Sequence, residues 1–262
     1  MKDIDSAIRD LDLGLFSRIE SQSSDHDKAS FLAVQNAVRD LCGAYTYLEI
    51  GSHLGGSIQP HLLDDKCVRI FSIDKRPEKQ PDARGYDYTY LNNSTERMME
   101  NLREVDADAI GKITTIDGGT DEISPDMITE KIQLCLIDGE HTDAAMKRDF
   151  EFCRKVVDPA GSAIMFHDAQ ITYQGIHEVI EDLKKDGVKF NAYNLPHVLF
   201  VVELGDFPLY MNTAIMERLV NNYEGYLYSL RDNDKFRRFA NRLPFRAARY
   251  LYSKLRNGNT SR

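Results

Sequence analysis

Acidic, glycine and histidine residues recur in this sequence directly after short apolar segments. Two carboxylates with an imidazole can hold a divalent cation or move a proton, and glycines let a backbone approach a ligand closely. If the apolar segments are neighbouring strands of an open sheet, these residues meet at one edge and line a single crevice. The residues that follow the five segments are 49–57, Asp74, 117–119, 138–141 and 167–168.

The first of these stretches is a glycine-rich turn. Gly51 and Gly55 permit a sharp bend, and a helix that begins near Gly56 would direct backbone N–H groups at a ligand. The spacing is neither the GxGxxG dinucleotide fingerprint nor the GxxxxGK[ST] phosphate loop. Because the Glu49 carboxylate would repel a pyrophosphate, a ligand with an ammonium and a carboxylate suits the turn better. The alternative is a turn whose glycines serve packing alone.

The isolated acids and the histidine each have a functional and a structural interpretation. Asp74 lies 23 residues after Gly51, about where an acid binds ribose hydroxyls in nucleotide-binding βαβ units. Asp138 and Asp168 are candidate metal ligands or proton carriers. For all three acids the alternative is a helix cap. His141 is a candidate general base, and its alternative is a solvated loop histidine.

The elements that must position these residues follow from hydrophobic periodicity. Short apolar runs alternate with helical patterns, which predicts a seven-stranded, mostly parallel sheet with helices on both faces, an α/β fold. Asn93 and Glu96 are predicted to form a capping box. The predicted strands are 45–50, 68–73, 112–116, 132–137, 162–166, 189–193 and 198–203, and the helices between them are 56–63, 93–105, 142–157 and 174–185.

Three segments divide the chain by pattern. Residues 1–43 form a helical N-terminal cap, 44–204 the α/β domain, and 205–262 a helical extension. The extension is predicted to contain a helix over 211–228 and a basic amphipathic segment over 236–255 that Pro244 interrupts. Tyr86, Tyr88 and Tyr90 alternate as in an edge strand, which we favour over a platform for stacking a substrate.

Charge is distributed unevenly over the 262 residues. The net charge is −9, yet residues 231–262 carry ten Lys/Arg and two Asp/Glu. The acidic body argues against a dedicated nucleic-acid binder. The basic, aromatic tail suits docking on the protein's own acidic surface or a second subunit as a homodimer, or peripheral contact with anionic lipid.

Four cysteines without a CxxC pair give neither a zinc site nor a disulfide framework. The N-terminus does not have the pattern of a signal peptide, and no apolar run is long enough to span a membrane. We therefore expect a cytoplasmic protein with reduced thiols.

The motifs resemble a known family. The run YLEIGSHLGGS at 47–57 resembles the glycine-rich motif of class I S-adenosylmethionine-dependent methyltransferases, and FSID at 71–74 resembles their second motif. The stretches 136–141, 158–161 and 166–168, with Asp149, are similar to the methyltransferase 24 type, which is related to macrocin O-methyltransferases and cephalosporin hydroxylase-like proteins. The resemblance covers about residues 45–203.

The resemblance implies a Rossmann-like fold, S-adenosyl-L-methionine as cofactor, and O-methylation of a sugar or other small-molecule hydroxyl. Asp74 would bind the ribose, Asp117 and Gly118 the adenine, and Asp138 would face the methyl-transfer centre. The other residues expected to contact the cofactor are Glu49, Gly51, Ser52, Gly55 and Ser57, of which Glu49, Gly51 and Gly55 would line its methionine part.

Catalysis would involve Asp138 and His141. In related sugar O-methyltransferases, carboxylates at the Asp138 and Asp168 positions hold Mg²⁺. Here His167 precedes Asp168 where those enzymes have paired acids, which puts a metal in question because hard cations prefer oxygen.

Two other functions fit parts of the pattern. A non-catalytic binding module could keep the cofactor fold as a scaffold, because fold does not fix function. A nicotinamide-dependent oxidoreductase would explain Asp74, but the missing GxGxxG and the presence of Glu49 count against it. The expected partner of the methyltransferase is a small-molecule or carbohydrate acceptor.

Overall fold

A computed structural model describes residues 3–85, 87–90, 93–248 and 250–251. The strands are β1 Tyr45–Ile50, β2 Cys67–Asp74, β3 Lys79–Pro81, β4 Asp87–Thr89, β5 Ile113–Asp117, β6 Leu134–Ile137, β7 Gly161–Phe166, β8 Phe190–Asn194 and β9 Phe200–Gly205. The α-helices are α1 Ile4–Arg9, α2 Asp25–Cys42, α3 Gln59–Leu63, α4 Thr95–Val105, α5 Asp143–Val156, α6 Tyr173–Lys185, α7 Thr213–Val220 and α8 Tyr223–Ala240.

Seven strands form one sheet in the order β5-β2-β1-β6-β7-β9-β8. The first five of these are parallel to one another, whereas β9 runs antiparallel to both β7 and β8. The predicted fold class is therefore confirmed. The strand order reverses between β1 and β6, and a crevice opens beyond the carboxyl ends of parallel strands at such a point.

Both faces of the sheet are covered, because side chains that alternate along each strand enter two separate apolar cores. Tyr45 and Tyr47 of β1 lie in the core formed with α1, α2, α3, α4 and α7. Leu48 and Ile50 of the same strand lie in the core formed with α5 and α6. All four side chains are buried. This two-sided burial explains the unbroken apolar character of the central strands.

Helix α2 connects the N-terminal segment to the α/β domain. A capping box begins it, because the Ser24 side chain accepts from the Asp27 amide and the Asp27 carboxylate accepts from the Ser24 amide. Gly43, with φ of 74°, ends it. The middle of the helix is buried against β1 and α7, so the three sequence segments share one body.

Three helix predictions need correction. The helix after the glycine-rich turn begins only at Gln59, because residues 51–58 form turns. The N-cap of α4 is Ser94, which accepts from the Arg97 amide, so Asn93 and Glu96 do not form the predicted capping box. The predicted helix over 211–228 is two helices, α7 and α8, separated at Asn221.

Strands β3 and β4 pair as a small antiparallel sheet apart from the main one. Tyr88 lies within β4 and Tyr90 directly after it, so the tyrosine alternation does mark a short strand. Tyr86 lies outside the described residues. The Ala83 amide donates to the His141 carbonyl over 2.8 Å, which ties this hairpin to the end of β6.

Most side chains of α8 are exposed. Gly225 is buried against the His197 carbonyl, whereas Tyr226, Leu230 and Phe236 on α8 are exposed. Residues 252–262 of the predicted basic tail lie outside the described part of the chain. No helix in that part combines the length and apolar character needed to cross a bilayer. The four cysteines are free thiols.

Candidate active site

A cleft of about 440 Å³ lies at the carboxyl ends of β1, β2, β5, β6 and β7. Residues of the N-terminal segment, the β3–β4 hairpin and α8 also line it. Eight residues predicted to contact cofactor, metal or substrate line it, namely Gly51, Ser52, Ser57, Asp74, Gly118, Asp138, His141 and Asp168. The structure thus brings most of the predicted site into one place.

The turn after β1 passes very close to the end of β6. Gly51 has φ of 90°, and a Cβ placed on it would lie 2.1 Å from the Asp138 carbonyl oxygen. The Asp138 amide donates to the Ile50 carbonyl over 2.9 Å. Only glycine fits both this backbone conformation and this contact. The position therefore holds the first turn against the residue predicted to face the methyl-transfer centre.

Glu49 lies beneath the cleft surface and is fully buried. Its carboxylate accepts hydrogen bonds from the Tyr47 hydroxyl at 2.6 Å and from the Ser57 hydroxyl at 2.5 Å. Burial raises the pKa of Glu49 to about 7, and the two hydroxyls only partly offset this. Ser57 lines the cleft, so its hydroxyl lies between the Glu49 carboxylate and the cleft.

Asp74 ties the first two strand ends together. One carboxylate oxygen accepts from the His53 amide at 2.8 Å and the other from the Arg76 amide at 2.7 Å. It caps no helix, so the structural alternative weighed for it does not apply. The buried Arg76 guanidinium lies beside it and donates to the hydroxyl of Thr95 over 2.6 Å.

Besides the buried Glu49, two predicted cofactor residues lie outside the cleft lining. The Asp117 side chain is 67% exposed, and it pairs with Arg76 and accepts from the Thr95 hydroxyl. Gly55 packs on the side chain of Leu102 in α4. The lining beyond β5 consists of Gly118 and the two residues after it. The structure thus gives Asp117 and Gly55 no direct contact with the cleft.

Asp149 was singled out only by the family resemblance, and it lines the cleft from α5. Its buried carboxylate accepts from the Thr120 hydroxyl, which fixes the loop after β5. Burial raises the pKa of Asp149 to about 6.

Asp138, His167 and Asp168 form a compact cluster whose candidate ligand atoms all lie within 4.8 Å of one another. His167 Nδ1 lies 3.0 Å from the Asp138 carboxylate and 3.1 Å from the Asp168 carboxylate. The caps of the following helices are Thr142 and Thr172. The alternative interpretation of the two acids as helix caps is therefore wrong.

A third carboxylate approaches His167 from the opposite side. His167 Nε2 lies 3.7 Å from Asp27 Oδ2, and Asp27 is 1% exposed. Burial alone would lower the pKa of His167, but Asp138, Asp168 and Asp27 together raise it well above its usual range. Burial likewise opposes ionisation of Asp168, yet His167 lowers the pKa of that carboxyl to about 2. The ground state is thus an imidazolium surrounded by carboxylates.

Both ring nitrogens of His141 face carboxylates. Nε2 lies 3.2 Å from Asp168 Oδ2, while the buried Nδ1 lies 3.8 Å from Asp82 Oδ2 and has no hydrogen-bond partner in the described residues. The ring packs edge-on to Tyr88 at 5.3 Å. Neither nitrogen is therefore directed at open space. This arrangement disfavours a role for His141 as a base, which stays a prediction.

Several lining residues were not predicted as site residues. Asp27 accepts from the Val198 amide at 3.3 Å and lies 2.8 Å from the His197 ring. The His197 ring packs against Tyr228 of α8 with the ring centroids 4.3 Å apart and the ring planes tilted by 58°. Tyr88 and Tyr90 also line the cleft. In the sequence, Asp27 stands out only as part of the polar stretch 21–27 at the start of α2, which is typical of any helix N-terminus. Nothing in the sequence distinguishes His197 or Tyr228.

Comparison with known proteins agrees with this geometry. Residues 48–169 match the profile of a family described as a methyltransferase domain. The matched stretch holds the glycine-rich turn, Asp74, Asp138 and the His167-Asp168 pair, so the resemblance inferred from the motifs is confirmed. A search of curated protein sequences gives no match.

Solved structures with a similar fold include several O-methyltransferases. The O-methyltransferase TomG from Streptomyces achromogenes, solved with SAM, has a TM-score of 0.50 and 15% identity, over 78% of this chain and 90% of that one. The O-methyltransferase NovP gives 0.53 and 14%, over 67% and 79%. The calicheamicin methyltransferase CalS11 gives 0.51 and 14%, over 77% and 92%. At such low identities the likeness shows the fold.

Proposed function

We propose that this methyltransferase uses S-adenosylmethionine to methylate a hydroxyl group of a small molecule or carbohydrate. The observation that carries the proposal is one cleft that joins the Gly51 turn and Asp74 to the Asp138, His167 and Asp168 cluster. The matched domain and the O-methyltransferases of the same fold support it.

The chain's own residues suit the two halves of such a reaction. Bound S-adenosylmethionine would supply an electrophilic methyl group on a sulfonium. Asp74 would accept from the ribose hydroxyls, and Glu49 with Ser57 would receive the ammonium of the methionine part. Asp138 lies where the first turn meets β6 and would face the reacting atoms. Holding acceptor oxygen and methyl carbon in line supplies much of the rate increase in such transfers.

The cluster also fits a divalent cation, with one qualification. Asp138, His167 and Asp168 would be the ligands, and the ion would polarise the acceptor hydroxyl and lower its pKa. Two carboxylates with one imidazole suit Mn²⁺, Fe²⁺ or Zn²⁺ as well as Mg²⁺. His167 would have to lose its proton to bind, so cation binding would release a proton.

The test is calorimetry with S-adenosylmethionine and S-adenosylhomocysteine, followed by transfer of a labelled methyl group to a panel of methyl glycosides and catechol. We expect micromolar binding and transfer to at least one acceptor. Absence of binding to either cofactor form would overturn the proposal. Binding without transfer to any acceptor would favour the non-catalytic module.

A further inference from the structure

We infer that His197, oriented by Asp27, is the general base that takes the proton from the acceptor hydroxyl. The inference rests on the proposed function and deepens it. Neither residue lies in the part of the chain that matches the methyltransferase family, residues 48–169. The two residues lie 170 positions apart in the sequence and meet at the cleft.

The two ring nitrogens of His197 have different surroundings. Nδ1 lies 2.8 Å from Asp27 Oδ2 and 3.2 Å from the Ser24 hydroxyl, whereas Nε2 has no hydrogen-bond partner in the described residues. An ionised carboxylate can only accept, so Nδ1 carries the hydrogen and Nε2 carries the lone pair. A base held by a carboxylate on one nitrogen and free on the other is the arrangement that activates hydroxyl nucleophiles.

The backbone of His197 is held in a conformation that is costly for a residue with a Cβ. Its φ is 77°, and such left-handed positions are strained and cluster at functional sites. Three elements hold it there. The Asp27 carboxylate accepts from the neighbouring Val198 amide, the first turn of α8 packs Gly225 against the His197 carbonyl, and Tyr228 packs against the ring in a tilted arrangement.

Among the other histidines of the cleft, none offers the same combination. His141 and His167 direct ring nitrogens at carboxylates, as described above. His53 lies at the cofactor side, where its amide binds Asp74. His197 lies on the opposite side of the Asp138 cluster, and it shares one oxygen of Asp27 with His167. That side is bounded by Tyr228 and is the space left for an acceptor.

The step balances as follows. The acceptor O–H bond breaks and its proton moves to His197 Nε2, while the oxygen forms a bond to the methyl carbon. The sulfonium C–S bond breaks with its electron pair going to sulfur, which leaves a neutral thioether. His197 then gives the proton to water. The charged and titratable groups packed around the ring are Asp27 and His26 from α2 and Tyr228 from α8, with Glu224 bound to His26.

The test compares H197Q, H197A and D27N with wild type. We expect kcat of the His197 variants to fall by about 10²–10⁴-fold, and that of D27N by at least about tenfold, since an amide in place of the carboxylate no longer fixes the tautomer. The dissociation constant of S-adenosylmethionine and the acceptor KM should stay within about twofold. The matched control is H26Q, which removes a neighbouring, half-exposed imidazole that does not line the cleft.

Each outcome decides the inference. H197Q and H197A that keep wild-type kcat, or that lose it together with cofactor affinity and thermal stability, would overturn the base assignment while leaving the proposed function intact. The asparagine side chain in D27N is nearly the same size as the aspartate. A loss of activity in D27N therefore reports loss of the orientation of His197 and not loss of packing around it. A wild-type protein that binds cofactor but methylates nothing on the panel overturns both proposals.

Discussion

The carboxyl of Glu49 allows a sharp test of whether the glycine-rich turn is shaped for a cationic ligand. The side chain is fully buried, and burial raises its pKa from the ordinary 4.5 to about 7. The folded chain therefore holds this proton more tightly than the unfolded chain, so the free energy of unfolding falls as pH rises from 4.5 through 7. A pKa shift of this size corresponds to about 3 kcal/mol of unfolding free energy.

Substituting E49Q removes the titrating group and leaves a neutral side chain of the same shape. At pH 5 we expect the wild type to be at least as stable as E49Q, because the Tyr47 and Ser57 hydroxyls both donate to the carboxyl. Between pH 5 and pH 8 the difference in unfolding free energy should move by about 3 kcal/mol in favour of E49Q. Urea denaturation at several pH values measures it. A difference that stays constant with pH would refute the reasoning.

Cofactor binding supplies the second measurement. An ammonium beside Glu49 favours the ionised carboxylate, so wild type at pH 7 should release about half a proton on binding S-adenosylmethionine, and E49Q none. Calorimetry in buffers of different ionisation enthalpy measures the released proton. The matched control is E203Q, because burial also raises the pKa of Glu203, which accepts from Tyr193 at the far edge of the sheet. Equal proton release by wild type and E49Q would show that Glu49 serves the fold alone.

Four further outcomes are expected. G51A should lose at least about 3 kcal/mol of unfolding free energy, together with its affinity for the cofactor. In G43A the new Cβ would meet nothing within 4 Å, so the loss should be about 1–2 kcal/mol. Thermal unfolding of the two variants measures the difference. D74N should weaken S-adenosylmethionine binding at least about tenfold, by loss of charge-assisted hydrogen bonds. EDTA should lower kcat at least about tenfold and Mn²⁺ should restore it, and D138N should abolish that response. Truncation after Ala240 should leave cofactor affinity unchanged, and size-exclusion chromatography of the truncated chain tests the expected homodimer.

The sequence alone determined the sheet and the edge at which its polar residues meet. Strands buried on both faces must be continuously apolar, so β1 was predicted with its observed bounds and the other strands of the sheet within two residues of theirs. A local pattern suffices here because the side-chain period of a strand is itself local. Gly51 and Asp138 could be assigned to one crevice because parallel strands end at a common edge.

The tertiary structure decided which side chains face that crevice. Asp117 and Gly55 carry the expected residue types but lie outside the lining, since Arg76 and Leu102 occupy their surroundings. The helix after the glycine-rich turn begins later than its glycine spacing indicated, because turns continue to Ile58. Spacing sets where a residue lies along a strand, whereas packing against distant elements sets where its side chain points.

The same distinction explains the acceptor side of the site. Asp27 lies in a pattern typical of a helix N-terminus and does take part in the capping box of α2. Its carboxylate also lies close to His167 and His197, 140 or more positions away. Tyr228 was assigned to an extension, and its ring packs against that of His197. Contacts between such distant positions depend on how α2 and α8 pack around the sheet. No periodicity within either segment encodes them, because a local pattern specifies the face of a helix that is buried and not the side chain that will lie opposite.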